Sequence, residues 1–383
     1  MDITKKNVTK LRVGMVGGGV GAFIGDVHRK AVLTDGFSVF TAGCFSRDYS
    51  NNLETGKKLG ISEDRLYKNY FEMAEKEGKR EDKIDYVIIV TPNSNHYSIA
   101  RIFLENGIHV ACDKPVTITS DESKELKNIV LEKNLLFLVT YSNIGYPMIK
   151  QARKMVLNGE IGEIRMVMAE YAQGWIPPKI ESANGQKKIW RFDPKTQGKA
   201  GVIGDIGCHI ENLVSYVTGL SILSICAKLD VFGRGFELDN NASIMVKYEN
   251  GASGVYWCSQ IALGSKNALR LRIFGEKGSI EWEQENPEML KIAMRGKPLS
   301  ILFKGDDKTD VISRLPGGHP EGTYEAFANI YRDFGKALMC KKELRNQKKI
   351  YSDFPSIDEG IQGVRFIEKC VESQNLGSKW IEI

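Results

Sequence analysis

The stretch VIGDIGCHIENL, residues 202–213, sets Asp205 and His209 four positions apart in a chain of 383 residues with only five histidines. The apolar spacing of IENLVSYVTG and the stop at Gly219 predict a helix over residues 205–218. On a helix, positions i and i+4 share one face. Asp205 then stands in the first turn, where the helix dipole favours a carboxylate, and projects together with His209. Gly201, Gly204 and Gly207 leave room for another molecule to approach. Three chemistries compete for this pair. One is a capping aspartate beside a buried, hydrogen-bonded histidine. A second is a metal site with Cys208 as third ligand, disfavoured because neighbouring helical positions point about 100° apart. The third is acid–base chemistry, since histidine titrates near neutral pH and suits removal of a proton from an alcohol.

Lys114 is the other reactive group. It follows the apolar run IHVAC, with only Asp113 between, and precedes Pro115, which fixes the turn. A lysine held there can polarise a hydroxyl, or shuttle a proton if partial burial lowers its pKa. The competing reading is an ordinary surface lysine at a strand end.

These groups need a scaffold. Residues 11–16 form a short apolar run, followed by Gly17, Gly19 and Ala22 in a G-x-G-x-x-A pattern with Val20 inside it. A helical pattern comes next, with Ile24, Val27 and Ala31 on one face. Gly17 permits a tight turn, Gly19 lets the backbone approach a pyrophosphate, and Ala22 allows close helix–strand packing. The helix N-terminus would face the phosphates. The second strand, FSVFTAGCFS, leads to Ser46 and Arg47, with Asp48 just beyond. An acidic residue at that place grips the ribose of NAD, whereas an arginine accommodates the 2′-phosphate of NADP. Both cofactors stay open.

Further alternation of apolar runs and helical patterns up to residue 142 implies a doubly wound parallel sheet. Ligands in such sheets lie at the carboxyl ends of strands. Thr91-Pro92-Asn93, Asp113-Lys114-Pro115 and Tyr141-Ser142-Asn143 all fall at such ends. From about residue 150 the texture changes to β-branched and alternating runs, with GEKG (275–278) as a hairpin. The fold class is therefore α/β: a nucleotide-binding domain over residues 1–142 and an α+β domain over 143–383. The second domain is predicted to carry a large open, mainly antiparallel sheet. One sheet face should pack on helices. The other carries Val, Tyr, Trp and Ile residues that a second subunit would cover. The long polar stretch 174–200, with Pro177-Pro178, reads as a functional cover. The helices near 324–339 and 357–374 are expected to belong to the second domain.

Composition narrows the partners. The balance of 53 basic and 48 acidic residues is mild, and no arginine-rich stripe appears, which argues against nucleic acid. Lys5-Lys6 and Lys348-Lys349 read as solvated surface. No run approaches the ~18 apolar residues of a membrane span, and the N-terminus lacks an export signal. Seven cysteines without a C-x-x-C pair suit a reducing cytoplasm.

The chain resembles the glucose-fructose oxidoreductase / inositol dehydrogenase / rhizopine catabolism (Gfo/Idh/MocA) family over nearly its whole length. The resemblance rests on the Gly17–Ala22 loop, on Thr91-Pro92-Asn93 with His96, on Asp113-Lys114-Pro115, and on Gly204-Asp205-Ile206-Gly207-Cys208-His209. The family has Glu-Lys-Pro where this chain has Asp113, a mild departure. YAQGW, WRFDP and GHPEG are similar to the branch that contains levoglucosan dehydrogenase and enzymes oxidising sugar rings at C3. The resemblance implies a Rossmann domain, NAD or NADP, and catalysis by Lys114, Asp205 and His209. It also implies homodimers or homotetramers through the C-terminal sheet.

The expected activity is hydride transfer between nicotinamide and a secondary hydroxyl of a sugar, glycoside or cyclic polyol. Lys114 and His209 both remain candidates for the base. Tyr171, Gln173, Trp175, Arg191 and His319 are candidate sugar contacts, though packing or exposure accounts for each equally well, as it does for His28 on the first helix. Two rivals stand beside this reading: a redox-neutral oxidation–elimination of glycosides with bound NAD, and a sugar or nucleotide sensor without turnover.

Overall fold

The computed structural model describes residues 10–176, 190–233, 235–307, 309, 311–343 and 353–383. Pro177-Pro178, the middle of the expected cover (177–189), and both basic runs fall outside these residues. The chain forms two compact units. The first runs through Thr117 and adds Asp121–Ser142 and Thr323–Gly360; the second holds Ile118–Ser120, Asn143–Gly322 and Ile361–Ile383.

In the first unit, β1 (Leu11–Gly17), β2 (Ser38–Cys44), β3 (Tyr86–Val90), β4 (His109–Cys112) and β5 (Phe137–Val139) form a sheet in the order β2-β1-β3-β4-β5. All four strand pairs in it run parallel. The order reverses beside β1, which places the switch point at the glycine loop. All five residues of β3 are buried, as a strand covered on both faces requires. Helices α1 (Phe23–Leu33), α2 (Tyr49–Leu59), α3 (Tyr70–Lys79), α4 (His96–Glu105) and α5 (Ser120–Glu132) connect the strands.

The helix Thr323–Glu343 belongs to this unit and not to the second, against the sequence expectation. Its apolar face packs on α1. The His28 ring meets Phe327 edge-on at 5.0 Å, and His28 Nδ1 lies 2.6 Å from the Tyr331 hydroxyl. A helix pattern read alone says which face is apolar but not which partner, some 300 residues away, will cover it.

The second unit holds a nine-stranded sheet: β6 (Ile164–Ala172), β7 (Ile222–Asp230), β8 (Asn241–Tyr248), β9 (Ser253–Ser259), β10 (Ala268–Gly275), β11 (Gly278–Glu283), β12 (Met289–Met294), β13 (Ser300–Phe303) and β14 (Ile381–Glu382). Its order is β13-β12-β11-β10-β6-β9-β8-β7-β14. Neighbours are antiparallel except the central pair β6–β9, which run parallel from Met166↔Ser253 to Ala172↔Ser259. That pairing brings the carboxyl ends of two strands side by side, so the residues following each become neighbours.

Alternation along β8 buries Ala242, Ile244, Val246 and Tyr248 and turns Ser243, Met245 and Lys247 outward. Burying each large apolar side chain contributes roughly 1.5–3 kcal/mol. Ile244, Tyr248 and Tyr256 thus lie on the helix-covered face, where Tyr256 meets Phe366 of the helix Ile357–Asn375. The outer face carries Met245, Val255, Trp257 and Phe274 among charged residues such as Arg270, Glu281 and Glu283; of the Val, Tyr, Trp and Ile residues expected there from the sequence, Val255 and Trp257 are present, while Tyr248, Tyr256 and Ile244 lie on the other face. Among the described residues, no helix is long and apolar enough to cross a membrane.

Candidate functional site

In the first unit, the turn after β1 is built by positive φ: Gly17 at 81°, Gly18 at 70° and Gly21 at 88°. A Cβ on Gly19 would stand 2.2 Å from Asn51 Oδ1, whereas nothing lies within 4 Å of one on Gly21. The loop is held from α2. Thr55 Oγ1 accepts the Val20 N–H at 3.0 Å, and Asn51 Nδ2 donates to the Val20 carbonyl at 3.0 Å. Val20 therefore lends position and not a free N–H. Ala22 is the N-cap of α1, with no side-chain bond to the helix. Close helix–strand packing is the task of Gly25, where a Cβ would be 2.4 Å from the Gly18 Cα. The sequence pattern places that role one turn too early, at Ala22.

An open glycine cradle leading into a helix whose N-cap offers no side-chain oxygen suits a pyrophosphate. These residues fit a dinucleotide. Beyond β2, Ser46 Oγ accepts the Asp48 N–H at 3.1 Å, and Asp48 Oδ1 caps α2 by accepting the Ser50 N–H at 2.9 Å. Arg47 between them is exposed.

At the other strand ends, His96 is buried with Nδ1 2.8 Å from the Pro115 carbonyl and Nε2 2.9 Å from that of Thr91. Burial lowers its pKa against the raising pull of the two carbonyls and Asp113. Each ring nitrogen lies against a backbone carbonyl, so His96 bridges the Thr91-Pro92-Asn93 turn and the Lys114-Pro115 turn. Asn93 is buried in the same turn.

Asp113 Oδ1 accepts the Lys114 backbone N–H at 2.9 Å and the Thr140 hydroxyl at 3.0 Å. Burial would push its pKa up. Coulombic coupling to His28 when that ring is protonated, to Lys114 and likewise to His96, with the Lys114 N–H, outweighs burial and leaves it below the ordinary value. Asp113 thus anchors the lysine's backbone and puts a carboxylate beside it. His28 lies in the α1 core with its pKa lowered to about 4 by burial, which makes it a packing residue.

In the second unit, the helix around Asp205 starts earlier than the sequence suggests. A π-helical turn, Ile203–Gly207, precedes the α-helix Cys208–Thr218. Such turns recur at functional sites, because they re-aim side chains that a regular helix would hold elsewhere. Buried Asp239 fixes its start. Its Oδ1 accepts the Gly201 N–H at 2.6 Å and its Oδ2 the Ile203 N–H at 3.0 Å. Cys208 is buried and donates its thiol to the Gly204 carbonyl at 3.3 Å, so it packs within its own helix.

Asp205 and Tyr171 lead into a common polar network. Asp205 Oδ2 accepts from Gln260 Nε2 at 2.8 Å and has Arg191 Nε at 3.8 Å. Gln173 Oε1 accepts the Trp175 indole N–H at 3.0 Å, and Gln173 Nε2 donates to Asn267 Oδ1 at 2.8 Å. The Tyr171 hydroxyl donates to the same oxygen at 2.8 Å. Its ring stands edge-on to His209, centroids 6.0 Å apart. Burial, with Asp205 nearby, pushes the Tyr171 pKa up, so the phenol stays protonated. Trp175 stacks on Phe192 at 5.7 Å, which in turn meets Phe236, giving an aromatic wall beside the polar groups.

Asp205, Tyr171, Gln173, Trp175 and Arg191 are therefore joined by contacts in one unit, and His209 abuts Tyr171. His319 is not: it is exposed, and no bond among the described residues links it to this network. Its loop is pinned elsewhere by buried Lys304, whose Nζ donates to the His319 carbonyl at 2.7 Å and pairs with Glu288 at 2.9 Å and Glu321 at 3.0 Å. Gln260, Asn267 and Asp239 do not stand out in the sequence. For Gln260 a signal exists: a polar residue ending the β run ASGVYWCSQ.

Residues 11–141 match the oxidoreductase family with an NAD-binding Rossmann fold, and residues 149–281 match the GFO/IDH/MocA C-terminal domain. A relative called uncharacterized oxidoreductase YfiI, from Bacillus subtilis strain 168, is 37% identical over 381 residues, covering 97% of this chain and 96% of its own. Levoglucosan dehydrogenase of Pseudarthrobacter phenanthrenivorans is 30% identical over 233 residues, 55% of this chain and 58% of its own. An inositol dehydrogenase homolog of Azotobacter vinelandii, solved with NAD+, is 35% identical and covers 99% of both chains with a TM-score of 0.93. The same homolog solved with NADH and myo-inositol is 34% identical, covers 98% of both and has a TM-score of 0.90.

Proposed function

The chain belongs to the GFO/IDH/MocA family of NAD(P)-dependent oxidoreductases, and from that premise we propose that it oxidises a secondary ring hydroxyl of a cyclic polyol or sugar. One observation carries the substrate class: the second unit sets an acceptor-only carboxylate, Asp205, within a hydrogen-bonded network beside the Trp175–Phe192 stack. A polyol ring offers hydroxyl donors on its edge and an apolar C–H face, and these two features match the two surfaces. The likeness to a homolog solved with NADH and myo-inositol supports the same class.

A nicotinamide dinucleotide held by the Gly17–Ala22 loop would supply reversible hydride transfer. The chain's own groups manage the proton and the charge. His209 takes the hydroxyl proton, the general-base role that imidazole side chains most often fill. Lys114 donates to the developing alkoxide, and Asp205 accepts from an adjacent hydroxyl. Tyr171, kept protonated, holds the His209 ring by its edge. In the reverse direction His209 returns the proton to the alkoxide formed from a ketone.

The test is a panel of inositols, sugars and glycosides with NAD and NADP, followed at the absorbance of the reduced nicotinamide. We expect free reduced cofactor to accumulate with at least one vicinal diol. Cofactor binding without reduction by any alcohol would make the protein a sensor, and glycoside cleavage without release of reduced cofactor would make it an elimination enzyme. We read the outer face of the nine-stranded sheet as the contact of a homo-oligomer, on the exposed Met245, Val255 and Phe274. A monomer mass in sedimentation would remove that reading. Seven free cysteines lead us to place the protein in the cytoplasm.

A further inference from the structure

We propose that Gln260 is a positioning residue for Asp205, the first link of a chain of three side-chain amides that fixes the substrate face of the second unit; the inference rests on the dehydrogenase reading. Side-chain amides have an oxygen end and a nitrogen end, and a network specifies a direction only if something prevents them from flipping. Here two one-way groups set the direction, one at the middle link and one at the Gln260 end. The Trp175 indole can only donate, so Gln173 must turn Oε1 toward it, at 3.0 Å. Gln173 Nε2 then faces Asn267, whose Oδ1 must accept at 2.8 Å. With Oδ1 turned inward, the Tyr171 hydroxyl at 2.8 Å has to donate. At the Gln260 end a carboxylate can only accept, so Gln260 must turn Nε2 to Asp205 Oδ2 at 2.8 Å, a nitrogen that also reaches Gln173 Oε1 at 3.5 Å.

Gln260 is itself immobilised. It is 3% exposed. Its N–H donates to the Asn240 carbonyl at 2.9 Å, and its carbonyl accepts from Ile176 at 3.2 Å. The parallel β6–β9 pair sets its backbone beside that of Gln173, because the Gln173 N–H donates to the Ser259 carbonyl at 2.8 Å. The amide chain thus ties a π-helical turn to the ends of β6 and β9 and to the start of β10. Two consequences follow. The Asp205 carboxylate is held in one plane, as an acceptor for a substrate hydroxyl. The Tyr171 proton is committed to Asn267, so the tyrosine is no rival to His209 as a proton carrier.

The test uses the full chain with Gln260→Met, which keeps the volume and removes the donor, and Gln260→Glu, which sets a second carboxylate against Asp205. Two readouts are taken: the pH profile of kcat/KM on the best polyol, and the carboxyl titration of Asp205 by 13C NMR, assigned with Asp205→Asn. For Gln260→Met we expect kcat/KM to fall roughly 10- to 100-fold with unchanged NADH affinity, and the carboxyl titration to move to higher pH. For Gln260→Glu we expect the acid limb of the profile to rise by about one pH unit or more, because two adjoining carboxylates cannot both ionise at low cost. A purely structural glutamine would lower thermal stability and leave both pH readouts where they are, and that result overturns the proposal. If wild type turns over no alcohol, the dehydrogenase reading has failed, while the carboxyl titration still decides the role of Gln260. If the glutamate variant does not fold, the methionine variant's titration decides it alone.

Discussion

At the scale of single residues, His209 and Lys114 hold their chemistry in different ways. Lys114 is anchored through its own backbone, whose N–H donates to the Asp113 carboxylate. His209 is braced by the edge of a tyrosine whose own proton is committed elsewhere. Replacing His209 with alanine should therefore lower kcat by about 10²- to 10⁴-fold, the usual worth of a general base, with NADH affinity unchanged. A rate within a few-fold of wild type would transfer the base to Lys114. Much of this was legible from residue types and spacing. Asp205 with His209, and a lysine after a buried strand, announce themselves because ionisable groups are costly in such apolar settings unless they have work there. The roles of His96 and His319 were not legible. A histidine at a strand end reads the same whether its ring nitrogens meet a ligand or two backbone carbonyls, and only the fold decides.

At the scale of elements, the site depends on a turn that no helical pattern shows. The π-helical turn Ile203–Gly207 looks like ordinary helix in its apolar spacing, since one extra backbone residue per turn leaves almost no compositional trace. What holds it is Asp239, which takes two backbone N–H groups at the turn's start while buried. Asp239→Ala would leave both donors buried and unsatisfied, at about 1–3 kcal/mol each. We expect a lower melting temperature and lost polyol turnover, with NADH affinity retained, as judged by calorimetry and fluorescence titration. Activity at the wild-type level would show that the turn needs no such anchor. The long apolar runs were legible as strands because their period is unmistakable. The parallel pairing of β6 with β9 was not, because register and direction between strands far apart in the chain are settled by tertiary packing. The short strands β12, β13 and β14 were likewise hidden in polar surroundings.

At the scale of the whole molecule, two histidines, His28 fully buried and His109 half-buried, link stability to pH. Burial holds the His28 pKa at about 4 and that of His109 at about 3, the latter also opposed by nearby lysines. His109 Nδ1 accepts the Leu136 N–H at 2.8 Å, which a protonated ring nitrogen could not do. Both are neutral in the folded chain and titrate near 6.5 when it unfolds. The unfolded state therefore binds more protons below that pH, and stability falls as pH drops from about 6.5 toward 4, by a few kcal/mol in all. A melting temperature that stays flat between pH 7 and 5 would contradict this. The return of the helix Thr323–Glu343 to the first unit has a consequence of another kind. A nascent chain that has emerged as far as Ser142 still lacks the helix that covers α1 around His28. The nucleotide-binding half must then wait, with an apolar flank uncovered, while the ribosome makes the whole of the big sheet. The segment made first is thus completed only late in synthesis, and the window before the helix emerges is when a chaperone would have most to hold.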